Sequence, residues 1–363
     1  MGFLKKLFGS KEEVGVTDYQ SFWEWFVNNE RDFYNAVKTN DNINDNFLEK
    51  LMPKLHQLNS QFYCLAGMYD DATAELVITA EGDIKTIVFA EDIIDAAPVL
   101  AGWKFTALKP AIGFNDMQIG MDGYHFDNEK INFFSTTHPD YPDEIDVTFV
   151  HADYNEQDET IIKNGTLIYL DNALGELNSA TLIDTIRITG PGTKNGELIP
   201  MTKLEDFLQW REKEFVEKYK GIRHNTENDN YSALEAEDSN GMPVIAIINQ
   251  ELMDWDAKAS HPWMMSIEIK YDGESNNGMP DDETYNLMND FEEEIMKKLT
   301  DSDGYLNVAR ETHDGTRTIY FACKEFRNVS RITAAAIEGY FEKLDITYEI
   351  IKDKYWMTMN RFN

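Results

Sequence analysis

The C-terminal part of the chain changes its hydrophobic period several times, in an order that few folds can accommodate. Apolar and polar residues alternate in MMSIEIKY, and the period then becomes helical over residues 281–299. Two more alternating stretches, YLNVARET and TRTIYFACK, flank Asp314-Gly315, and Asp-Gly between strands is a strong hairpin signal. A helical stretch from about Ser330 and the alternating ITYEIIK complete the order β-α-β-β-α-β. This order predicts a ferredoxin-like domain whose sheet presents one face to two helices.

The predicted helix at 281–299 carries seven carboxylates within residues 281–294, with no Lys or Arg among them. Pro280 suits the start of a helix, and the helix dipole favours each negative charge in the first turn by about 0.3–1 kcal/mol. Two glutamates near the end of the run each precede a lysine by four residues, which is ion-pair spacing. Asp290 and Glu292 are left without a local role. We interpret the stretch as a solvated helix and keep a cation site as the alternative, although the EF-hand spacing is absent.

The net charge restricts the classes of partner. The chain has 363 residues with 33 Lys and Arg against 66 Asp and Glu, a formal charge of −33, and 42% of its residues are hydrophobic. Such a charge repels nucleic acid and anionic lipid, and it favours basic partners or cations. The apolar content is sufficient for substantial cores, and the length suggests two domains.

Cysteine usage and hydropathy indicate a cytoplasmic protein. Cys64 and Cys323 are the only cysteines and are far apart, so we expect neither a zinc site nor a disulfide framework. No apolar run is long enough to span a membrane, and we expect no integral membrane association. MGFLKKLFG is too short for a signal peptide. We interpret residues 1–16 as a flexible tail, with weak membrane contact as the alternative.

The part of the chain before residue 222 predicts an α+β domain with a mainly antiparallel sheet. A helix is predicted from Ser21, where Glu24 would complete a capping box, and a hairpin is predicted around Asp70-Asp71. TLIYLDNALGELNSATLIDTIRIT is interpreted as strand, helix and strand, and PVIAIIN as an added edge strand. The polar stretch RHNTENDN is interpreted as a linker. It divides an N-terminal domain, 17–222, from a C-terminal domain, 225–363.

Three short stretches could carry chemistry, and each also has a plain structural interpretation. THPDYPDE could hold a hard cation through its carboxylates, or could be a Pro/Asp turn between strands. ETHDGTR contains a histidine beside a carboxylate, a possible general base, but its Asp-Gly pair is already explained as a turn. ITGPGTKNG has the wrong spacing for a phosphate-binding loop. We favour the structural interpretation in each case and predict no catalytic residue, metal ligand or cofactor. The residues involved are His138, Asp140, Asp143, Glu144, Glu311, His313, Asp314, Gly190, Gly192 and Lys194.

The second face of the predicted C-terminal sheet is the favoured binding surface. Its mixture of charged, polar and aromatic side chains indicates that something covers it, either the N-terminal domain or a partner. The side chains assigned to this face are Glu268, Lys270, Tyr305, Asn307, Thr318 and Tyr320. Trp263 and Trp356 are interpreted as core or interface anchors. We expect the binding residues to be Tyr305, Tyr320, Lys270 and Arg317.

Several of these stretches resemble a family of unknown function, domain-of-unknown-function 695. The resemblance covers about residues 230–363 and rests on Gly278-Met279-Pro280 before the acidic helix, Gly315-Thr316-Arg317 in the hairpin and Asp353 to Trp356 near the end. Thr316 is an insertion, and Lys354 stands where the family tends to have proline. The region from Leu76 to Pro110 is similar to uncharacterised bacterial proteins. The family implies no established activity.

The leading functional hypothesis is therefore an acidic protein-binding or regulatory module with a basic protein partner and no nucleic acid. The first alternative is a hydrolase or other enzyme that uses a cation held by carboxylates. The second is a structural homodimer. The oligomeric state stays open.

Overall fold

The computed structural model describes residues 15–40, 42–115, 117–192 and 196–362. The chain is a mixed α+β protein with several sheets that are mostly antiparallel, as predicted. It divides into two compact units, Met1–Pro110 and Ala111–Asn363. The boundary predicted near 222–225 lies inside the second unit, and whether 225–363 folds alone stays a prediction.

The first unit contains a three-stranded sheet in the order β1-β2-β3. The β1–β2 pair is the predicted hairpin, and β3 returns parallel to β2 after a helix. The elements are α1 (Tyr19–Thr39), a π-helical turn (Asn44–Leu48), α2 (Glu49–Leu58), β1 (Tyr63–Met68), β2 (Ala74–Thr79), α3 (Ile84–Asp95) and β3 (Trp103–Ala107).

Aromatic residues of α1 form much of the core of this unit, because Phe22 and Phe26 are fully buried. The N-cap of the helix lies three residues before the predicted one. Asp18 is its N-cap, and Ser21 is the third helical residue whose hydroxyl completes the capping box. Val16 is buried and its amide donates to Gln57, so the predicted tail ends before it. The rest of that tail, apart from Gly15, lies outside the described residues.

The first part of the second unit contains a hairpin and a four-stranded sheet in the order β8-β7-β6-β9. The β7–β8 pair is parallel and the other pairs are antiparallel. The elements are β4 (Ile119–Met121), β5 (Tyr124–Phe126), β6 (Ile131–His138), β7 (Tyr141–His151), α4 (Glu159–Leu174), α5 (Glu176–Thr181), β8 (Thr185–Thr189), β9 (Ile199–Pro200) and α6 (Leu204–Lys218).

The stretch TLIYL, predicted as a strand, is instead the second half of α4. Ile162, Tyr169 and Ala173 recur at helical spacing and are buried in the core of this part. The β-branched residues favoured a strand locally, and tertiary packing over the whole helix overrides that preference.

The second part of the unit is built on a six-stranded antiparallel sheet in the order β10-β11-β13-β14-β12-β15. PVIAIIN is therefore β11 and not the edge, because β10 pairs outside it. The elements are β10 (Tyr231–Glu237), β11 (Pro243–Asn249), α7 (Gln250–Met253), β12 (Trp263–Lys270), α8 (Asp282–Lys298), β13 (Tyr305–His313), β14 (Thr316–Cys323), α9 (Arg327–Glu338) and β15 (Asp345–Lys352). A 3-10 helix spans Met357–Phe362.

The two faces of this sheet are covered differently. Helices α8 and α9 lie on one face, where Thr333 of α9 contacts Met265 and Asn289 of α8 accepts a hydrogen bond from Arg317. We call the opposite side the open face. Its apolar half is covered by the chain itself, since Leu252, Trp356 and other residues of segments 250–255 and 356–362 share one buried cluster with strand residues. Its other half is polar.

Among the described residues, no helix is both long enough and apolar enough to cross a membrane.

Candidate functional site

Polar side chains meet on the open face because of the strand register. One row of cross-strand neighbours on β15, β12, β14 and β13 consists of Thr347, Glu268, Thr318 and Glu311. The next row contains Glu349, Ser266 and Tyr320. Directly opposed residues of an antiparallel pair share a face, so these side chains form one continuous surface. Glu268 and Glu311 are two strands apart, about 10 Å at the usual strand spacing.

This surface is the floor of a pocket of about 550 Å³, bounded on one side by Thr358 and Arg361 of the 3-10 helix. We call it the open-face pocket. Its lining is made of hydroxyls and ionisable groups. They are Ser266, Thr316, Thr318, Tyr320, Thr347 and Thr358, with Glu268, Glu311, Glu349, His313 and Arg361. Tyr348 also lines the pocket, although its hydroxyl donates to Ser330 of α9.

The pocket is acidic. Three carboxylates line it against one guanidinium. Glu268 has an exposed ion-pair partner, Lys270, at 3.4 Å, and His313 lies 3.4 Å from Asp238. The exposed Glu268–Lys270 pair contributes little and exchanges readily, so the pocket favours a cationic group.

Tyr320 joins the apolar and polar halves of the open face. Its ring belongs to the buried cluster and is 6% exposed, while its hydroxyl lines the pocket. Burial raises the pKa of Tyr320, which keeps the hydroxyl protonated. Arg361 donates to this hydroxyl and lies 2.6 Å from Glu311.

The structure separates the four predicted binding residues. Tyr320 lines the pocket and Lys270 lies exposed beside it. Tyr305 and Arg317 are on the helix-covered face, where the Tyr305 hydroxyl donates to Glu325 at 2.6 Å. The prediction that Tyr305 and Asn307 share a face with Tyr320 is therefore wrong. Whether any of the four contacts a partner stays a prediction.

A β-bulge in β13 places Tyr305 and Asn307 on the helix-covered face. Asn307 pairs with Phe321 and Ala309 pairs with Tyr320, so Val308 is an extra residue in β13. A bulge shifts the alternation by one residue, and every side chain before it changes face. Val308 and Ala309 both join the buried cluster on the open side as a result.

Arg317 is fully buried beneath α8, in a network that the sequence did not reveal. Its guanidinium donates to Asn289 at 2.8 Å and lies 3.8 Å from Glu292. Arg310 donates to the same Glu292 carboxylate at 2.8 Å. Glu292 is thus a buried counter-ion and not a solvated residue of the acidic helix. The other helix features agree with expectation, since Asp281 caps α8 and Lys297 and Lys298 pair with glutamates.

Asp143 lies in the stretch predicted as a turn or a cation site, and its carboxylate is bound by side chains of the same chain. Its carboxylate accepts hydrogen bonds from Lys218, Tyr219 and Tyr355 at 2.7 to 2.8 Å. These donors hold the pKa of Asp143 below its ordinary value against the effect of burial. The stretch joins β6 to β7, as the turn interpretation predicts.

Of the other two stretches, ETHDGTR contributes Glu311 and His313 to the open-face pocket. Asp314 and Gly315 form the β13–β14 turn, both with positive φ, as two-residue hairpins of this type require. Lys194 and the two residues beside it in the glycine-rich loop lie outside the described residues. In the part of the chain that the structure describes, no three His, Cys, Asp or Glu side chains are arranged to hold a metal ion.

The pocket residues that sequence reasoning missed are Ser266, Thr347, Glu349, Thr358 and Arg361. The alternation of ITYEIIK carried a signal for Thr347 and Glu349, which stand at the polar positions of that strand. No local pattern places Arg361 there.

Residues 236–362 match the model of a family of unknown function, DUF695, in agreement with the resemblance of the C-terminal part. Comparison with curated proteins and with solved structures gives no match.

Proposed function

We propose that the chain is a protein-binding module whose open-face pocket receives a basic side chain of a partner protein. One observation carries this proposal. Three carboxylates and six hydroxyls line an exposed pocket of about 550 Å³ on the six-stranded sheet. Carboxylates bind ammonium and guanidinium groups by charge-assisted hydrogen bonds, and the hydroxyls can accept the remaining donors.

The charge of the whole chain supports the same partner class. A net charge of −33 attracts basic molecules over a distance and accelerates their encounter. Long-range attraction of this kind is screened by salt, because exposed charges interact over about 8 Å at 0.15 M ionic strength. Association with the proposed partner is therefore fast at low salt and slows as salt rises.

We also propose that the C-terminal part has a ferredoxin-like fold. The segment β12-α8-β13-β14-α9-β15 contains four strands. If they are numbered along the chain, their order across the sheet is fourth, first, third, second, which supports a ferredoxin-like arrangement.

Both cysteines are free thiols, which supports a reducing, cytoplasmic location. The similarity of the N-terminal part to uncharacterised bacterial proteins stays a prediction.

The test uses the full chain and a short blocked peptide containing lysine and arginine, with a glutamate peptide as the negative probe. We expect amide shifts in β12 to β15 on adding the basic peptide, and an affinity that falls steeply from low to high salt. Glu268→Gln with Glu349→Gln should weaken binding several-fold. The matched control is Glu293→Gln on α8, an equally acidic but highly exposed position on the helix side. Shifts elsewhere, or equal binding by all variants, would refute the site.

A further inference from the structure

Arg361 already occupies one corner of the open-face pocket in the way that a partner's arginine would. Its guanidinium lies 2.6 Å from the Glu311 carboxylate and donates to the Tyr320 hydroxyl. The same group lies 5.4 Å from the centroid of the Tyr320 ring and 4.8 Å from that of Phe362. A carboxylate beside aromatic rings is an arrangement that recognises a planar cation.

The segment that carries Arg361 is anchored by other residues. Trp356 and Met359 are each 1% exposed, and the Asp353 carboxylate accepts hydrogen bonds from the amides of Met357 and Thr358. The Arg361 side chain, in contrast, is 48% exposed. The fold of the segment therefore does not depend on Arg361, and its side chain can leave the pocket without unfolding the anchor.

We propose that the Glu311–Tyr320 corner is a subsite selective for arginine, and that Arg361 is an internal competitor which a partner's arginine must displace. This inference rests on the proposed function and adds the identity of the ligand group and its regulation. An arriving arginine replaces the contacts of the departing one, so the exchange is nearly balanced and the remaining pocket groups favour the partner.

The geometry favours arginine over lysine. Arg361 reaches both Glu311 and Tyr320 through one terminal nitrogen, while its guanidinium carbon lies within 5.4 Å of the Tyr320 and Phe362 ring centroids. The preference for arginine therefore comes from the contact with the two rings. A lysine ammonium is a compact point charge that binds a carboxylate but does not stack. Removal of Arg361 should therefore improve arginine binding more than lysine binding.

The size of the effect follows from the fraction of time that the subsite is free. The apparent dissociation constant equals the intrinsic constant divided by that fraction. If Arg361 occupies the corner about nine-tenths of the time, its removal strengthens arginine binding about tenfold.

The experiment compares the full chain with Arg361→Ala and Arg361→Gln, using acetyl-Gly-Arg-Gly-amide and acetyl-Gly-Lys-Gly-amide as probes followed by amide chemical shifts. Lys297→Ala is the charge-matched control, because it also removes one exposed cation but lies on α8. We expect the arginine probe to bind several-fold more tightly to both Arg361 variants and unchanged to Lys297→Ala. Glu311→Gln should abolish the gain.

The outcomes separate this inference from the proposed function. Equal binding of the arginine probe by the parent chain and both Arg361 variants would show that Arg361 does not compete for the subsite. The proposed binding function of the pocket would not be affected. Equal gains for both probes would overturn the arginine selectivity. Absence of binding by either probe to any variant would overturn the proposed function itself.

Discussion

The Lys354 ammonium lies 2.7 Å from the Asp184 carboxylate and donates to the Asp143 carbonyl oxygen at 2.8 Å. The lysine is 2% exposed, and it connects the end of the six-stranded sheet to the four-stranded part of the same unit. Burial lowers the pKa of Lys354 to about 8, and neighbouring Lys352 acts in the same direction. The ion pair with Asp184 opposes this shift but does not cancel it.

We predict that Lys354 raises the free energy of unfolding between pH 8 and 10, relative to a chain without this lysine. The thiols of Cys64 and Cys323 act in the opposite direction over this range, because burial raises their pKa values in the folded state. In this range the unfolded chain keeps the lysine proton that the folded chain has lost, and stability rises with pH wherever the unfolded state binds more protons. The rise should be about 2 kcal/mol. Above pH 10 the raised pKa values of Tyr219 and Tyr355 in the folded state make stability fall with or without the lysine.

Urea unfolding across this pH range tests the prediction. Lys354→Met removes the titrating group and keeps the volume, so the difference in stability between the parent chain and this variant should grow by about 2 kcal/mol between pH 8 and 10. An identical pH dependence in the two chains would show that Lys354 does not titrate in this range.

A second prediction concerns Glu292, the buried counter-ion of Arg310 and Arg317. Glu292→Gln should lower the free energy of unfolding by about 3 kcal/mol, because it leaves the buried Arg317 and the half-buried Arg310 without this carboxylate. The matched control, Asp290→Asn, is two positions away and exposed, and should change stability by less than about 0.5 kcal/mol. Equal effects in denaturant titrations would contradict the assigned network.

The contrast between these two carboxylates shows how far the sequence constrains the fold. Local rules predicted α8, its acidic first turn and its lysine pairs, since all depend on residues within four positions. Glu292 looked like its neighbours because its partners are on strands 18 and 25 residues away. No spacing rule identifies such partners.

Long-range packing also limited what the sequence could predict about the open-face pocket. The Asp314-Gly315 turn fixes the register of β13 and β14 near the turn, and sequence reasoning placed Thr318 and Tyr320 correctly on one face. The bulge at Val308 then moved Tyr305 to the other face. The bulge brings both Val308 and Ala309 into the cluster that segments 250–255 and 356–362 complete. The position of Arg361 depends on the same long-range packing.

A third prediction tests the packing of α4. A Cβ atom added at Gly165 would lie 2.1 Å from the Phe126 ring, in the buried core of the second unit. Gly165→Ala should therefore reduce the free energy of unfolding by about 1–3 kcal/mol, although alanine favours helix. Gly120→Ala is the control, since no heavy atom lies within 4 Å of an added Cβ there. Thermal melts of both variants are sufficient, and a stabilised Gly165→Ala would contradict the contact.

The last prediction addresses the boundary expected near residue 225. The fragment 225–363 contains all six strands of the large sheet, both helices on one face and the cluster on the other. It should therefore fold alone, with a cooperative melt and dispersed amide resonances. It lacks Asp143 and Asp184, however, so it loses the hydrogen bonds of Lys354 and Tyr355 to the four-stranded part.

The fragment should accordingly be less stable than segment 111–363, which retains both aspartates. Its Lys354 also loses the cover of Phe215, whose ring centroid lies 4.5 Å from the ammonium in the intact chain. The stability that Lys354 adds between pH 8 and 10, measured against Lys354→Met in each segment, should then be present in 111–363 and absent in 225–363. An unfolded 225–363 would show that the boundary is wrong, whereas a folded fragment that keeps the pH-dependent rise would show that Lys354 is buried by the sheet itself.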